Sequence, residues 1–146
     1  MIRFFGGRVM TLANDIETQD IEVWTEGSKI VFVGKPKAEE LDGKVFEREY
    51  DLKGNLLMPS FKNAHTHSAM TFLRSYADDM PLQDWLFKQI FPMEAKLDGE
   101  KVYWLTKLAI LEYLTTGCTA AFDMYFELDD YVKACVESGF RSVLCG

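Results

Sequence analysis

Hydrophobic and polar positions alternate in short runs over the first fifty-odd residues, and a longer period replaces them further along. The run IRFFGGRVMTL is broken by two glycines, DIEVWTE alternates, and EGSK turns into KIVFVG, which ends at Gly34. The last two runs and the turn between them read as a β-hairpin. PKAEELDGK reads as a polar loop, and VFEREYDL sets Val45, Glu47 and Glu49 against Phe46, Arg48 and Tyr50 before Gly54. Together these segments predict a small antiparallel β-structure.

From Leu56 the pattern changes. NLLMPSFKNAHTH is an apolar run that leads into a pair of histidines. PLQDWLFKQIFPMEAKL spaces Leu82, Trp85, Leu86 and Ile90 along one face of a helix, with an interruption expected at Pro92, which lacks the N–H that a helix interior needs. DGEKVYWLTKLAILEYLTTG is the strongest helical pattern. Val102, Leu105, Ala109 and Tyr113 form its stripe, Trp104, Leu108 and Leu111 widen it, and Gly117 suits the left-handed position after its last turn. CTAAFDMYF then reads as a strand, LDDYVKACVESG as a helix closed by Gly139, and RSVLC as a strand. The order β-α-β-α-β with short links predicts a parallel sheet, and right-handed crossovers put the helices outside it. Such a three-stranded sheet leaves a long unpaired edge, which native folds avoid. The expectation is therefore the front part of a larger protein.

Composition narrows the class. With 146 residues, 48% of them hydrophobic, the chain is long enough to bury a core. A net charge of -7 argues against nucleic acid or an anionic membrane surface as partner, since both select clustered Lys and Arg. Cys118, Cys135 and Cys145 lack zinc-finger or CxxC spacing and sit in apolar surroundings, which predicts buried free thiols in a reducing compartment. No apolar run followed by a small-residue cleavage site stands near the first residue. The chain is expected to be soluble and cytoplasmic.

Both histidines of the chain, His65 and His67, lie one residue apart. In a strand, residues i and i+2 project to one face roughly 6.5–7 Å apart. Two imidazoles so placed can converge on one metal ion, and Thr66 between them points the other way. Alone the pattern is weak, because two neighbouring histidines are equally compatible with a structural or exposed role. Its position at the end of an apolar strand, where α/β folds hold their ligands, strengthens the metal reading.

The run LLMPSFKNAHTHSAMTFLRSYADDMPLQDWLFKQIFPMEAKL closely resembles the first barrel strand and following loop of amidohydrolase-superfamily deaminases, nearest to those acting on 5-methylthioadenosine and S-adenosylhomocysteine. The N-terminal strands resemble that family's small β-sandwich, and CTAAFDMYF resembles its second barrel strand. The resemblance implies an α/β fold comprising the first three strands of a (β/α)8 TIM-type barrel at residues 56–146, preceded by part of a β-sandwich at residues 1–55. It implies that His65 and His67 ligate one divalent ion, usually zinc, and that Glu94 contacts the ribose hydroxyls of a small-molecule nucleoside. Trp85 matches an aromatic near the substrate pocket, although a helix-stripe aromatic serves core packing equally well. Asp123 is expected to face the barrel interior with Thr119, Ala121 and Tyr125 in a structural role. The family's further His and Asp ligands and its acid/base Glu have no match here, so the chain alone is expected to be inactive. A related hydrolase acting on another C–N or C–Cl bond is the alternative enzyme. A non-catalytic interaction module is the other alternative, and a homo-oligomer is compatible with each.

Overall fold

A computed structural model describes residues 1–13 and 16–145. The chain divides into two compact units, Met1–Pro59 and Ser60–Gly146.

The first unit holds strands β1 (Ile2–Phe5), β2 (Arg8–Met10), β3 (Thr18–Gln19), β4 (Glu22–Glu26) and β5 (Lys29–Gly34), a single helical turn α1 (Ala38–Leu41), and strands β6 (Arg48–Asp51) and β7 (Leu56–Leu57). They form a four-stranded sheet in the order β5-β4-β1-β6 and a three-stranded sheet in the order β3-β2-β7. The expected hairpin is β4 with β5, antiparallel. The expectation of an all-antiparallel structure is corrected, because β1 pairs with β6 and β2 with β7 in parallel. Alternation marks which face each residue takes, and both pairing senses satisfy it. The segment read as a polar loop contains α1, where the Lys37 N–H donates to the Glu40 carboxylate at 2.8 Å.

Trp24, 3% exposed, anchors this unit. Its ring stacks on Phe32 at 4.1 Å and meets Phe46 edge-on at 5.2 Å. Its indole N–H donates to Glu22 at 2.9 Å, and Arg3 donates twice to the same carboxylate at 2.7 and 2.6 Å. Gly7 is required by close approach, since a Cβ there would lie 2.4 Å from the Asn55 carbonyl oxygen.

The second unit opens with β8 (Phe61–Thr66), followed by a 3-10 segment at Ser68–Leu73 and a helical stretch built from α2 (Leu82–Asp84), a π-helical segment (Trp85–Ile90) and α3 (Phe91–Glu94). Then come α4 (Gly99–Thr115), β9 (Cys118–Met124), α5 (Leu128–Ser138) and β10 (Arg141–Cys145). The sheet order is β10-β9-β8, and both pairings are parallel. Gly117 and Gly139 follow α4 and α5 with φ of +83° and +64°, a conformation in which a Cβ is strained. The fold is mixed α/β.

Between sheet and helices lies a core of Ala69, Val102, Ile110, Ala121, Tyr131 and Ala134, among others. Three expectations change here. The buried face of α4 is Val102, Thr106, Ala109 and Ile110, while Trp104, Leu108 and Leu111 are exposed. Pro92 does not interrupt the helical stretch. The turn before it widens, with the Phe91 N–H donating to the Leu86 carbonyl five residues back, and the chain continues into α3. Of the cysteines, Cys118 and Cys135 are buried but Cys145 is exposed. Among the described residues no helix is long and apolar enough to cross a membrane.

Candidate metal and nucleoside site

β8 runs parallel to β9 and delivers His65 and His67 at its C-terminal end. Thr66 turns toward the helices, where its hydroxyl meets the Tyr113 hydroxyl. The two histidines flank it with ring centroids 5.2 Å apart and planes crossed at 80°. His67 Nδ1 lies 2.8 Å from the Met124 carbonyl oxygen. A carbonyl only accepts, so Nδ1 carries a proton and Nε2 is the nitrogen left to face a metal ion. Backbone carbonyls hold the second nitrogen of metal-ligating histidines in this way.

The turn after His67 is tied down by Asp123. Its carboxylate accepts the Ser68 N–H at 3.2 Å, the Ser68 hydroxyl, and the Tyr131 hydroxyl at 2.7 Å. Asp123 is fully buried and lies in register with Thr66, on the helix-facing side of the sheet. The expectation that it faces the barrel interior with Thr119, Ala121 and Tyr125 is corrected. Ala121 and Tyr125 belong to the helix-side core, whereas Phe122 and Met124, 49% and 53% exposed, occupy the opposite face. The hydrogen bonds of Asp123 go to Ser68 and Tyr131, which ties the His67 turn to β9. Burial, and then the Asp123 hydrogen bond, push the Tyr131 phenol pKa well above its ordinary value, so that group stays a donor.

Next to His67 opens a cavity of about 670 Å³, with Trp85, Glu94, Met124, Tyr125 and Phe126 in its wall. The helical stretch supplies Trp85 and Glu94, and the end of β9 supplies the rest. Three of the four residues singled out from sequence, His67, Trp85 and Glu94, thus line one cavity. His65 stands beside His67 and outside that wall. Tyr125 and Glu127 also line it, and sequence reasoning passed over both for this purpose. Alternation marked Tyr125 as an inward residue, but nothing in the pattern shows that a helix thirty residues earlier brings Glu94 against it.

The Tyr125 side chain is 5% exposed, and among the described residues its hydroxyl has no hydrogen-bond partner. Burial raises its pKa well above the ordinary phenol value, and the nearby Glu94 carboxylate raises it further. Glu94 itself is partly exposed to the cavity.

The histidine pair fits a divalent ion in donor type, spacing and tautomer. The pair would supply two of the three protein ligands that a catalytic zinc ordinarily takes. Among the described residues no group of three or more His, Cys, Asp and Glu is placed to complete the set.

Known proteins resemble this chain in sequence and in fold. Residues 56–146 match a family model described as "Amidohydrolase family". A 5-methylthioadenosine/S-adenosylhomocysteine deaminase of Desulfitobacterium hafniense is 44% identical over 123 residues, 84% of this chain and 28% of that protein. A 5'-deoxyadenosine deaminase of Methanoregula boonei is 53% identical over 95 residues, 65% of this chain and 22% of that protein. The crystal structure of an adenosine deaminase from Xanthomonas campestris with bound zinc superposes with a TM-score of 0.90 at 33% identity, covering 97% of this chain and 33% of that one. The chain spans a third or less of the length of each of these relatives.

Proposed function

Because the chain belongs to the amidohydrolase family, we propose that it is the N-terminal part of a metal-dependent hydrolytic deaminase of adenosine-type nucleosides such as S-adenosylhomocysteine and 5′-methylthioadenosine. The observation that carries the reading is the placement of His67, its Nδ1 anchored on the Met124 carbonyl, at the mouth of a cavity that also holds Glu94 and Trp85. The named activities of the relatives support the substrate class.

In this reading residues 56–146 are the first three strands of a (β/α)8 barrel and residues 1–55 are part of a small β-sandwich. The uncovered side chains of Phe61, Phe122, Met124 and Val143 on the second face of the sheet support it, since barrel closure would bury them. His65 and His67 hold the ion, zinc being the expected one. The bound ion supplies Lewis-acid activation of water at neutral pH. Glu94 accepts the paired ribose hydroxyls, a task suited to a carboxylate because both bonds are charge-assisted. Trp85 and the neighbouring apolar wall exclude water and bury the flat base.

Two measurements test this. In the full-length protein His65→Ala and His67→Ala should each lower bound zinc below stoichiometry, read by elemental analysis independently of turnover. Full zinc retention in both variants would remove the histidines from the site. Glu94→Gln should raise KM for 5′-methylthioadenosine about tenfold, the size expected for loss of a charge-assisted hydrogen bond. It should leave 2′,3′-dideoxyadenosine unaffected, and equal losses on both substrates would contradict the ribose role.

A further inference from the structure

A buried hydroxyl without a partner is rare in a folded chain, and it costs free energy unless something offsets it. Tyr125 has such a hydroxyl among the described residues, on a ring that belongs to the helix-side core and also lines the cavity. Its ring is held firmly. It is 5% exposed, stacks on Phe126 at 4.3 Å, and its backbone N–H donates to the Cys145 carbonyl at 3.2 Å. The phenol oxygen therefore has a fixed position, and the Glu94 carboxylate, in the wall of the same cavity, is a neighbour able to accept its proton. Glu94 comes from α3, which follows the widened helical turn, and is partly exposed.

We infer that Tyr125 is a positioning residue for Glu94, its O–H donating to one carboxylate oxygen so that the other is held toward a bound ligand's hydroxyls. The inference rests on the nucleoside reading and adds to it a residue that acts through Glu94. A glutamate at the end of a helical segment has three rotatable bonds, and each orientation that points away from the ligand weakens binding. A fixed donor behind the carboxylate removes those orientations. When the ligand engages the outer oxygen, a small rotation of Glu94 completes the inner bond. In the unliganded chain the hydroxyl is left unsatisfied, so the device lowers stability for the sake of binding, as strained functional sites do.

That trade gives a signature that a purely structural tyrosine would not give. In the full-length protein Tyr125→Phe should raise KM for adenosine about five- to tenfold with kcat unchanged. KM for 2′,3′-dideoxyadenosine should stay at the wild-type value, because that substrate offers Glu94 nothing to accept. Thermal midpoint should hold or rise, since the variant deletes an unpaired buried hydroxyl and keeps the ring. In a Glu94→Ala background the same substitution should change KM for neither nucleoside, because its effect passes through the carboxylate. Equal KM changes on both substrates, no change on either, or a persistent effect without Glu94 would each overturn the inference. A wild-type protein that deaminates adenosine while Tyr125→Phe behaves identically would overturn it and leave the nucleoside reading standing. Absence of turnover by the wild type on every nucleoside would overturn that reading and this inference with it.

Discussion

Asp123 shows how one side chain can serve a site it does not enter. Its carboxylate collects the Ser68 N–H, the Ser68 hydroxyl and the Tyr131 hydroxyl in a fully buried position, and so pins the backbone directly after His67. Asp123→Ala leaves the Ser68 amide without its acceptor and the Tyr131 hydroxyl with Ser142 alone. It should destabilise the chain by about 1–3 kcal/mol, the scale for leaving a buried donor unsatisfied, read from the urea midpoint. A loss below about 1 kcal/mol, the size of an ordinary surface change, would show that water replaces the carboxylate. Glu22 offers a pH test. Burial by itself raises its pKa, but hydrogen bonds from Arg3 and Trp24 and the Arg3 charge outweigh that and hold it below the ordinary glutamate value. A depressed carboxylate pKa contributes stability that is present above the unfolded value and lost as pH falls through the folded value. Stability should therefore decline from about pH 5 downward, by the linkage just stated, and Glu22→Gln should flatten part of that slope in denaturation measured between pH 7 and 3. An unchanged slope would mean that the Arg3 pair contributes nothing.

The helices show what a hydrophobic pattern reveals and what it conceals. Gly117 and Gly139 were legible as stops because left-handed backbone after a helix demands a residue without a Cβ. The position of α4 was legible for the same reason, yet its buried face was not. Thr106 and Ile110 are fully or nearly fully buried, whereas Trp104 and Leu111, the larger apolar groups, are 62% and 59% exposed. The helix is apolar over more than one face, and the pattern alone cannot say which face meets the sheet. Ile110→Ala should cost about 2–4 kcal/mol, whereas Leu111→Gln should cost under about 0.5 kcal/mol in the same 146-residue chain. Similar losses at both positions would mean that the second face of α4 is also packed. The same ambiguity hid the side of Asp123, since alternation gives two faces and leaves open which one the helices cover. Pro92 was read as a break because a proline removes a donor and clashes one turn back. The π-helical turn over Trp85–Ile90 absorbs both effects by opening the ladder, and carries Glu94 on to the cavity. The parallel pairing of β1 with β6 joins segments more than forty residues apart, a distance at which no local signal acts.

For the molecule as a whole, the adjacency of two histidines was the most informative feature of the sequence, and the structure adds what orients the two rings. A parallel strand ends there, Thr66 is committed to the helices, and the Met124 carbonyl sets the His67 tautomer. The cavity beside His67 is walled jointly by the end of β9 and the helical stretch, a juxtaposition that no local pattern encodes. Two histidines hold an ion weakly, and a loosely held ion cannot aim its water. The chain spans 28% of the Desulfitobacterium hafniense relative, so the proposal that it is one part of a deaminase site can be tested by restoring the rest. The direct measurement is ammonia release from S-adenosylhomocysteine, 5′-methylthioadenosine and adenosine at equal zinc loading. It compares the 146-residue chain with the same chain followed by the remaining C-terminal portion of that relative. Release by the extended chain, with none above background from the short one, is the expected result. Turnover by the short chain at a rate near that of the extended one would contradict the account, because it would show that the two histidines and this cavity need no further ligands.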